Sequence, residues 1–239
     1  MRVIDKLNMD RDALAKHGPI NIVIFGDSVS QASFNGYNDY ESVYWNLLKK
    51  KLYAIRSYVP VNMICASIGG TRAKESLVRF DSQVLSHRPD LIIICFGLND
   101  VNSELEDYLG ALNEMFKKSK DSGCDVIFMT PNMLCTRVAD DAPEEYKSYA
   151  ARMAEHQNGG RMDTYIYSAK KLAEDMGITV CDCYSKWKEL SKTEDITLLL
   201  SNRINHPTPK MHELFADSLY EIITENKYNV AEADDGMYK

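Results

Sequence analysis

The chain has 239 residues, 45% of them hydrophobic and 26% charged, as is typical of a soluble globular protein. Its formal net charge of −7 at pH 7 argues against a polyanionic partner, so we expect no nucleic-acid binding. Residues 1–18 carry charges throughout and lack the apolar stretch of a secretory signal, and no apolar run is long enough to span a bilayer. These features predict a cytoplasmic protein without membrane insertion. Its six cysteines are expected to be reduced, and they lack the ligand spacing of a metal site.

Five short apolar or β-branched segments alternate with polar segments of helical periodicity. Strands are predicted over residues 20–26, 61–67, 90–97, 124–130 and 177–183. Helices are predicted over residues 40–56, 72–86, 103–120 and 162–176, with a final helix after residue 207 and a frayed tail over 231–239. Because the strands lack polar alternation, both faces of the sheet should be buried. The pattern therefore predicts an α/β protein: a three-layer α/β/α sandwich around a five-stranded parallel sheet.

The absence of linkers and repeats predicts a single domain over residues 1–239. Residues 131–161 interrupt the strand–helix rhythm, and they are too many for a simple connection. We expect this segment to form a lid or a wall of the active site.

Polar residues follow the predicted strands at their carboxyl ends, where ligands bind in open parallel sheets. The first strand ends in Gly26-Asp27-Ser28, the second is followed by Gly69-Gly70 and the third by Gly97-Leu98-Asn99-Asp100, while His206 precedes the final helix. A serine hydroxyl becomes a nucleophile when an imidazole takes its proton. Glycine N–H groups and an asparagine amide can stabilise the resulting oxyanion. Each short motif alone is more often a turn, but their common placement at strand ends favours a catalytic site.

These four blocks, in this order between Phe25 and His206, resemble the SGNH/GDSL hydrolase superfamily of GDSL-like esterases and lipases. The resemblance implies a flavodoxin-like SGNH fold with Ser28 as nucleophile and His206 as base. It also implies an oxyanion hole formed by the Ser28 and Gly70 N–H groups with the Asn99 amide. No metal or organic cofactor is implied.

The sequence departs from that family at Arg203, three residues before His206, where an aspartate usually orients the imidazole. A backbone carbonyl or the Asn202 side-chain oxygen would leave a Ser–His dyad, whereas a distant acid such as Asp195 would complete a triad. We favour the dyad. Asp27 is expected to hold the turn through backbone N–H groups, and Asp27 and Arg203 are also candidate substrate contacts.

By analogy with the family, the leading prediction is a serine esterase that removes O-acetyl groups from a carbohydrate or glycoside. Four aromatic residues after the nucleophile are candidates for sugar stacking, although core positions are more usual for such residues: Tyr37, Tyr40, Tyr44 and Trp45. The alternatives of the same fold are an acyltransferase, a thioesterase and a lysophospholipase. A non-catalytic phosphate or nucleotide binder using residues 68–73 is the alternative from another class, and it would not require His206 or Asn99.

Overall fold

The computed structural model describes residues 2–225, and the tail predicted over 231–239 lies outside them. The sheet has five parallel strands in the order β2-β1-β3-β4-β5. The strands are β1 (Ile20–Gly26), β2 (Val61–Cys65), β3 (Leu91–Cys95), β4 (Asp125–Met129) and β5 (Thr179–Cys181). Helices flank this sheet, which confirms the predicted α/β architecture.

The helices of the described region include four that the sequence analysis did not predict: α1, α2, α7 and α9. The α-helices are α1 (Arg2–Leu7), α2 (Arg11–His17), α3 (Tyr44–Ile55), α4 (Ala73–Leu77), α5 (Phe80–Gln83), α6 (Leu105–Asp121), α7 (Glu144–Asn158), α8 (Arg161–Asp175), α9 (Cys183–Leu190) and α10 (Pro209–Thr224). Short 3₁₀ helices cover Leu85–His87, Asp100–Asn102 and Ile196–Leu199. No helix of residues 2–225 is both long and apolar enough to cross a membrane.

The helix predicted over residues 72–86 is divided into α4, α5 and a 3₁₀ turn. Helix α4 ends at Leu77 with Val78 as its C-cap, and the next residue, Arg79, makes tertiary contacts instead. Its guanidinium donates to the Ala66 carbonyl and lies over the Phe25 ring, 4.6 Å from the centroid. These contacts to β1 and to the end of β2 outweigh the local preference for one continuous helix.

The central strands form the core of the domain. Every residue of β3 is buried, and the Phe25 ring at the end of β1 lies 5.3 Å from both the Phe80 and the Phe96 rings. Helices α3, α9 and α10 pack together as one group, and α4, α6 and α8 form a second. Because β1 lies between β2 and β3, the carboxyl ends of these three strands meet at one edge of the sheet.

Candidate active site

The turn after β1 has little space around its first residue. A Cβ atom at Gly26 would lie 2.5 Å from the Cys95 carbonyl oxygen and 2.6 Å from Ser30 Oγ, so a larger residue would force the strands apart. The Asp27 side chain is buried, and its Oδ1 accepts the Val29 N–H at 3.1 Å. Ser28 is thereby held in a tight turn at the carboxyl edge of the sheet.

His206 bridges the Ser28 hydroxyl and a backbone carbonyl. Its Nε2 lies 2.8 Å from Ser28 Oγ, and its Nδ1 lies 2.6 Å from the Phe34 carbonyl oxygen. A carbonyl only accepts hydrogen bonds, so this contact places the proton on Nδ1 and leaves Nε2 free to accept from the hydroxyl. Burial lowers the pKa of His206, while the bond to Phe34 opposes that change. The neutral imidazole is therefore favoured at neutral pH and can act as a base.

Asn202 shapes the loop that carries His206. Its Oδ1 accepts three backbone N–H groups, those of Ile204 at 3.0 Å, Asn205 at 3.0 Å and His206 at 2.9 Å. Its Nδ2 donates to Asn205 Oδ1 at 2.9 Å. Of the two neutral acceptors considered for Nδ1 of His206, the backbone carbonyl makes the contact, and the Asn202 oxygen is used for folding the loop.

The other acidic and basic candidates make contacts outside the pocket. Asp195 pairs with Arg137 at 2.7 Å, and its carboxylate also accepts the Thr197 N–H at 3.0 Å. Arg203, in the left-handed region with φ +60°, pairs with Asp141 at 3.1 Å. Neither Arg203 nor the buried Asp27 is among the residues that line the pocket at Ser28, so the geometry gives neither of them a direct contact with substrate.

The residues predicted for an oxyanion hole lie around the Ser28 hydroxyl. Gly70 has φ +76°, a conformation that favours glycine, and the adjacent Gly69 packs against Ser28. Asn99 Nδ2 donates to the Thr71 carbonyl at 3.2 Å, which fixes its amide beside Gly70 and leaves its second N–H free. Within residues 2–225, the Ser28 and Gly70 N–H groups donate no hydrogen bond. These donors are therefore available to a developing negative charge.

The pocket above Ser28 has a volume of about 410 Å³, and no aspartate, glutamate, lysine or arginine among the residues that the structure describes lines it. Its lining comprises Ser28, Phe34, Asn35, Gly36, Gly69, Gly70, Asn99, Pro143, Tyr146, Tyr149, Asn202, Ile204, Asn205 and His206. Pro143, Tyr146 and Tyr149 come from the start of α7, so part of segment 131–161 forms a wall of the pocket.

Several pocket residues were not predicted from the sequence. The Tyr146 and Tyr149 pair, spaced three residues apart, was a detectable signal, because this spacing places both rings on one face of a helix. The Phe34 carbonyl had no such signal, since every residue carries one. Among the aromatic residues singled out earlier, Tyr44 is fully buried, while the exposed Tyr37 ring stacks on Phe34 with 5.7 Å between centroids.

Two buried carboxyl groups lie beneath the site. Asp27 Oδ2 and Asp100 Oδ2 have no partner in the described region, whereas Asp100 Oδ1 accepts the Ala73 N–H at 2.8 Å. The pKa of each acid is raised to about 7, mainly by burial, and the charge of Asp100 contributes to the rise at Asp27. The raised pKa favours the neutral acid in the folded state, whereas 3.8 is the ordinary value that applies to the unfolded chain. Each acid therefore contributes stability below pH 3.8, and this contribution is lost as the pH rises from 3.8 through 7.

Comparison with known proteins gives one family and a set of related folds. The model of the GDSL-like Lipase/Acylhydrolase family matches residues 24–214. The uncharacterized lipoprotein YqeF of Bacillus subtilis (strain 168) is 26% identical over 212 residues, which cover 80% of this chain and 84% of YqeF. The acetylxylan esterase Axe2 of Geobacillus stearothermophilus is 20% identical with a TM-score of 0.68, covering 86% of this chain and 94% of Axe2. The acetyl xylan esterase AlAXEase is 22% identical with a TM-score of 0.67, and the match covers 85% of this chain and 100% of AlAXEase.

Proposed function

The chain belongs to the GDSL-like lipase/acylhydrolase family and is a hydrolase of ester bonds, and from this premise we propose that it removes O-acetyl groups from a carbohydrate or glycoside through an acyl-enzyme on Ser28. The contact of 2.8 Å between Ser28 Oγ and His206 Nε2 is the observation that carries this proposal. It lies inside a pocket whose other polar groups are suited to an acyl-transfer reaction.

The reaction has two acyl-transfer steps. His206 Nε2 takes the Ser28 hydroxyl proton as Oγ attacks the ester carbonyl carbon. The Ser28 and Gly70 N–H groups and the Asn99 amide donate to the carbonyl oxygen as it becomes negative, and each donor is worth about a hundred- to a thousandfold in rate. When the tetrahedral intermediate collapses, the alcohol leaves with the proton from Nε2. Water then attacks the acyl-enzyme with His206 as base, which releases the acid and restores the Ser28 hydroxyl.

This mechanism uses no acid beside the imidazole. Solved structures of Axe2 include catalytic mutants of a histidine and of an aspartate three positions before it. The corresponding position here is Arg203, whose guanidinium is bound to Asp141. We therefore propose a Ser28–His206 dyad.

The chemistry of the pocket wall supports a neutral, hydroxyl-rich alcohol. The Asn35 amide offers both a donor and an acceptor to sugar hydroxyls, and the Tyr146 and Tyr149 rings offer stacking surfaces. Within residues 2–225, no lysine or arginine lines the pocket, whereas a lysophospholipid or a nucleotide would bring a phosphate that needs a cation or an ordered N–H cradle. The fold that the chain shares with two acetylxylan esterases is consistent with this substrate class.

The test is hydrolysis of p-nitrophenyl acetate, butyrate and octanoate, together with acetate release from acetylated xylo-oligosaccharides. Ser28→Ala and His206→Ala should each lose nearly all activity, and the rate should fall from acetate to octanoate. The matched controls are Ser86→Ala and His87→Ala, two exposed residues near a 3₁₀ turn remote from the pocket. Full activity of Ser28→Ala would refute the acyl-enzyme, and a preference for octanoate would refute the deacetylase. The cytoplasmic location and the lack of a nucleic-acid partner stay predictions.

A further inference from the structure

The loop that follows the nucleophile contacts both members of the dyad. This loop, residues 32–39, begins at Ala32, which has φ +69°. The Ser33 N–H donates to the Ser28 carbonyl at 2.9 Å, and the Phe34 carbonyl accepts the His206 Nδ1–H at 2.6 Å. One short segment is thus bound to the backbone of the nucleophile and to the side chain of the base.

Hydrogen bonds within the loop fix the direction of the Phe34 carbonyl. The Phe34 N–H donates to the Tyr37 carbonyl at 2.9 Å, which closes a short loop over residues 34–37. Ser33 and Asn38 face each other across an antiparallel bridge, and the Ser33 hydroxyl donates to Asn38 Oδ1 at 2.9 Å. The Phe34 carbonyl therefore has a direction set before substrate arrives.

The Phe34 side chain anchors the loop to the core. It is 1% exposed, and its ring centroid lies 4.9 Å from that of His212, a fully buried residue of α10. His212 Nδ1 accepts the Tyr44 N–H at 3.2 Å, which holds the imidazole against α3. The contact joins the loop to the helical layer formed by α3 and α10.

We propose that the Phe34 carbonyl orients His206 in place of the missing carboxylate, and that Asn38, acting through Ser33, is a positioning residue for that carbonyl. The inference rests on the proposed function, because it assigns a role within the Ser28–His206 chemistry. A carbonyl dipole fixes the Nδ1–H tautomer as a carboxylate does, but it stabilises the imidazolium less. Loosening the loop should therefore reduce both the rate and the affinity of the imidazole for a proton.

The direct experiment replaces the Phe34–Asn35 amide by an ester, since an ester carbonyl is a weaker acceptor. The variant Asn35→Ala with lactic acid at position 35 is compared with the same variant carrying the ordinary amide. The Asn35 N–H donates to no residue within 2–225, so its removal leaves the fold intact. We expect kcat/KM on p-nitrophenyl acetate to fall roughly tenfold, as for a weakened hydrogen bond to a charged group. The midpoint of its acid limb should move to lower pH, because the Phe34 bond raises the pKa of His206. An ester protein with the rate and midpoint of its amide counterpart would overturn the proposal.

Side-chain variants test the same loop by a second route. Asn38→Ala removes the acceptor of the Ser33 hydroxyl and should lower kcat/KM and the pH midpoint together, whereas Asn38→Asp keeps an acceptor and should restore both. A fall in thermal stability without a change in midpoint would show a merely structural role for Asn38 and contradict the proposal.

Labelling of Ser28 by a serine-directed phosphonate distinguishes a failure of the proposed role of the loop from a failure of the proposed function. Labelling that proceeds equally in the amide and ester proteins would refute the loop's role alone, and no labelling in the wild type would refute the proposed function.

Discussion

Replacing Asn202 by alanine should destabilise the loop that carries the base. The single Oδ1 atom accepts three backbone N–H groups, at 3.0, 3.0 and 2.9 Å. Each such bond contributes about 0.5–1.5 kcal/mol, and the half-buried position allows water to replace part of the loss. We therefore expect the free energy of unfolding to fall by about 2 kcal/mol, which for a chain of this size lowers Tm by roughly 4–8 °C.

The same substitution should lower the activity, because the backbone N–H of His206 is one of the three donors to Asn202 Oδ1. A displacement of catalytic groups by about 1 Å can cost a hundredfold in rate, so a loss of roughly ten- to a hundredfold in kcat is expected. Asn202→Asp keeps an acceptor in the same place. It loses the bond from Nδ2 to Asn205, but the Asn205 amide can rotate and donate to the new carboxylate. This variant should remain close to wild type.

The assay combines thermal unfolding with p-nitrophenyl acetate kinetics for both variants. Asn113→Ala is the matched control, because the Asn113 side chain forms no hydrogen bond within residues 2–225. A Tm for Asn202→Ala within 1 °C of wild type, as an order-of-magnitude threshold, would refute the reasoning. So would a loss in Asn202→Asp as large as that in Asn202→Ala.

Three further predictions concern titration and charge. Because burial raises the pKa values of Asp27 and Asp100 to about 7, the free energy of unfolding should fall between pH 5 and pH 8, by at most about 2–3 kcal/mol per acid. Urea denaturation should show a smaller fall for Asp100→Asn, and equal falls in variant and wild type would contradict the assignment. The kcat/KM profile should rise with pH through a midpoint below the ordinary histidine value of 6.5 and then level off, because burial lowers the pKa of His206; a midpoint above 6.5 would be inconsistent with a buried base. Asp195→Asn should keep kcat within about twofold, since Asp195 pairs with Arg137 at the surface, and a large loss of kcat would indicate that Asp195 orients the imidazole.

The central strands could be predicted closely because β1, β3 and β4 are short apolar runs with burial on both faces, which removes any competing periodicity. The predicted and observed limits of β1 coincide at Ile20 and Gly26. Helix α7 was not predicted, because most of its buried side chains are small or polar, among them Ala150, Ala154 and Gln157. Its segment therefore has a weak apolar face and looks like an irregular connection.

In the site, too, the features that the local sequence determines could be predicted, and a contact that depends on tertiary packing could not. Ser28, Gly70 and Asn99 could be placed together from the sequence, since parallel strands deliver their carboxyl ends to one edge. The acceptor for His206 could not, because Phe34 lies 172 residues away in the chain and contributes only its backbone carbonyl. Recognising that contact requires the path of the loop, which depends on tertiary packing against α10.

The Gly26-Asp27-Ser28 motif combines residues that the fold requires with one that the reaction requires. The glycine is required by the approach of Cys95 and Ser30, and the aspartate by the turn, so both meet demands of folding. In the proposed mechanism, only Ser28 of the three supplies reactivity. A descendant that exchanged Ser28 for alanine would therefore retain the turn, the sheet edge and the pocket. Under the proposed mechanism, such a protein would bind the former substrate without hydrolysing it, so that an enzyme and a binding protein would differ by one hydroxyl group.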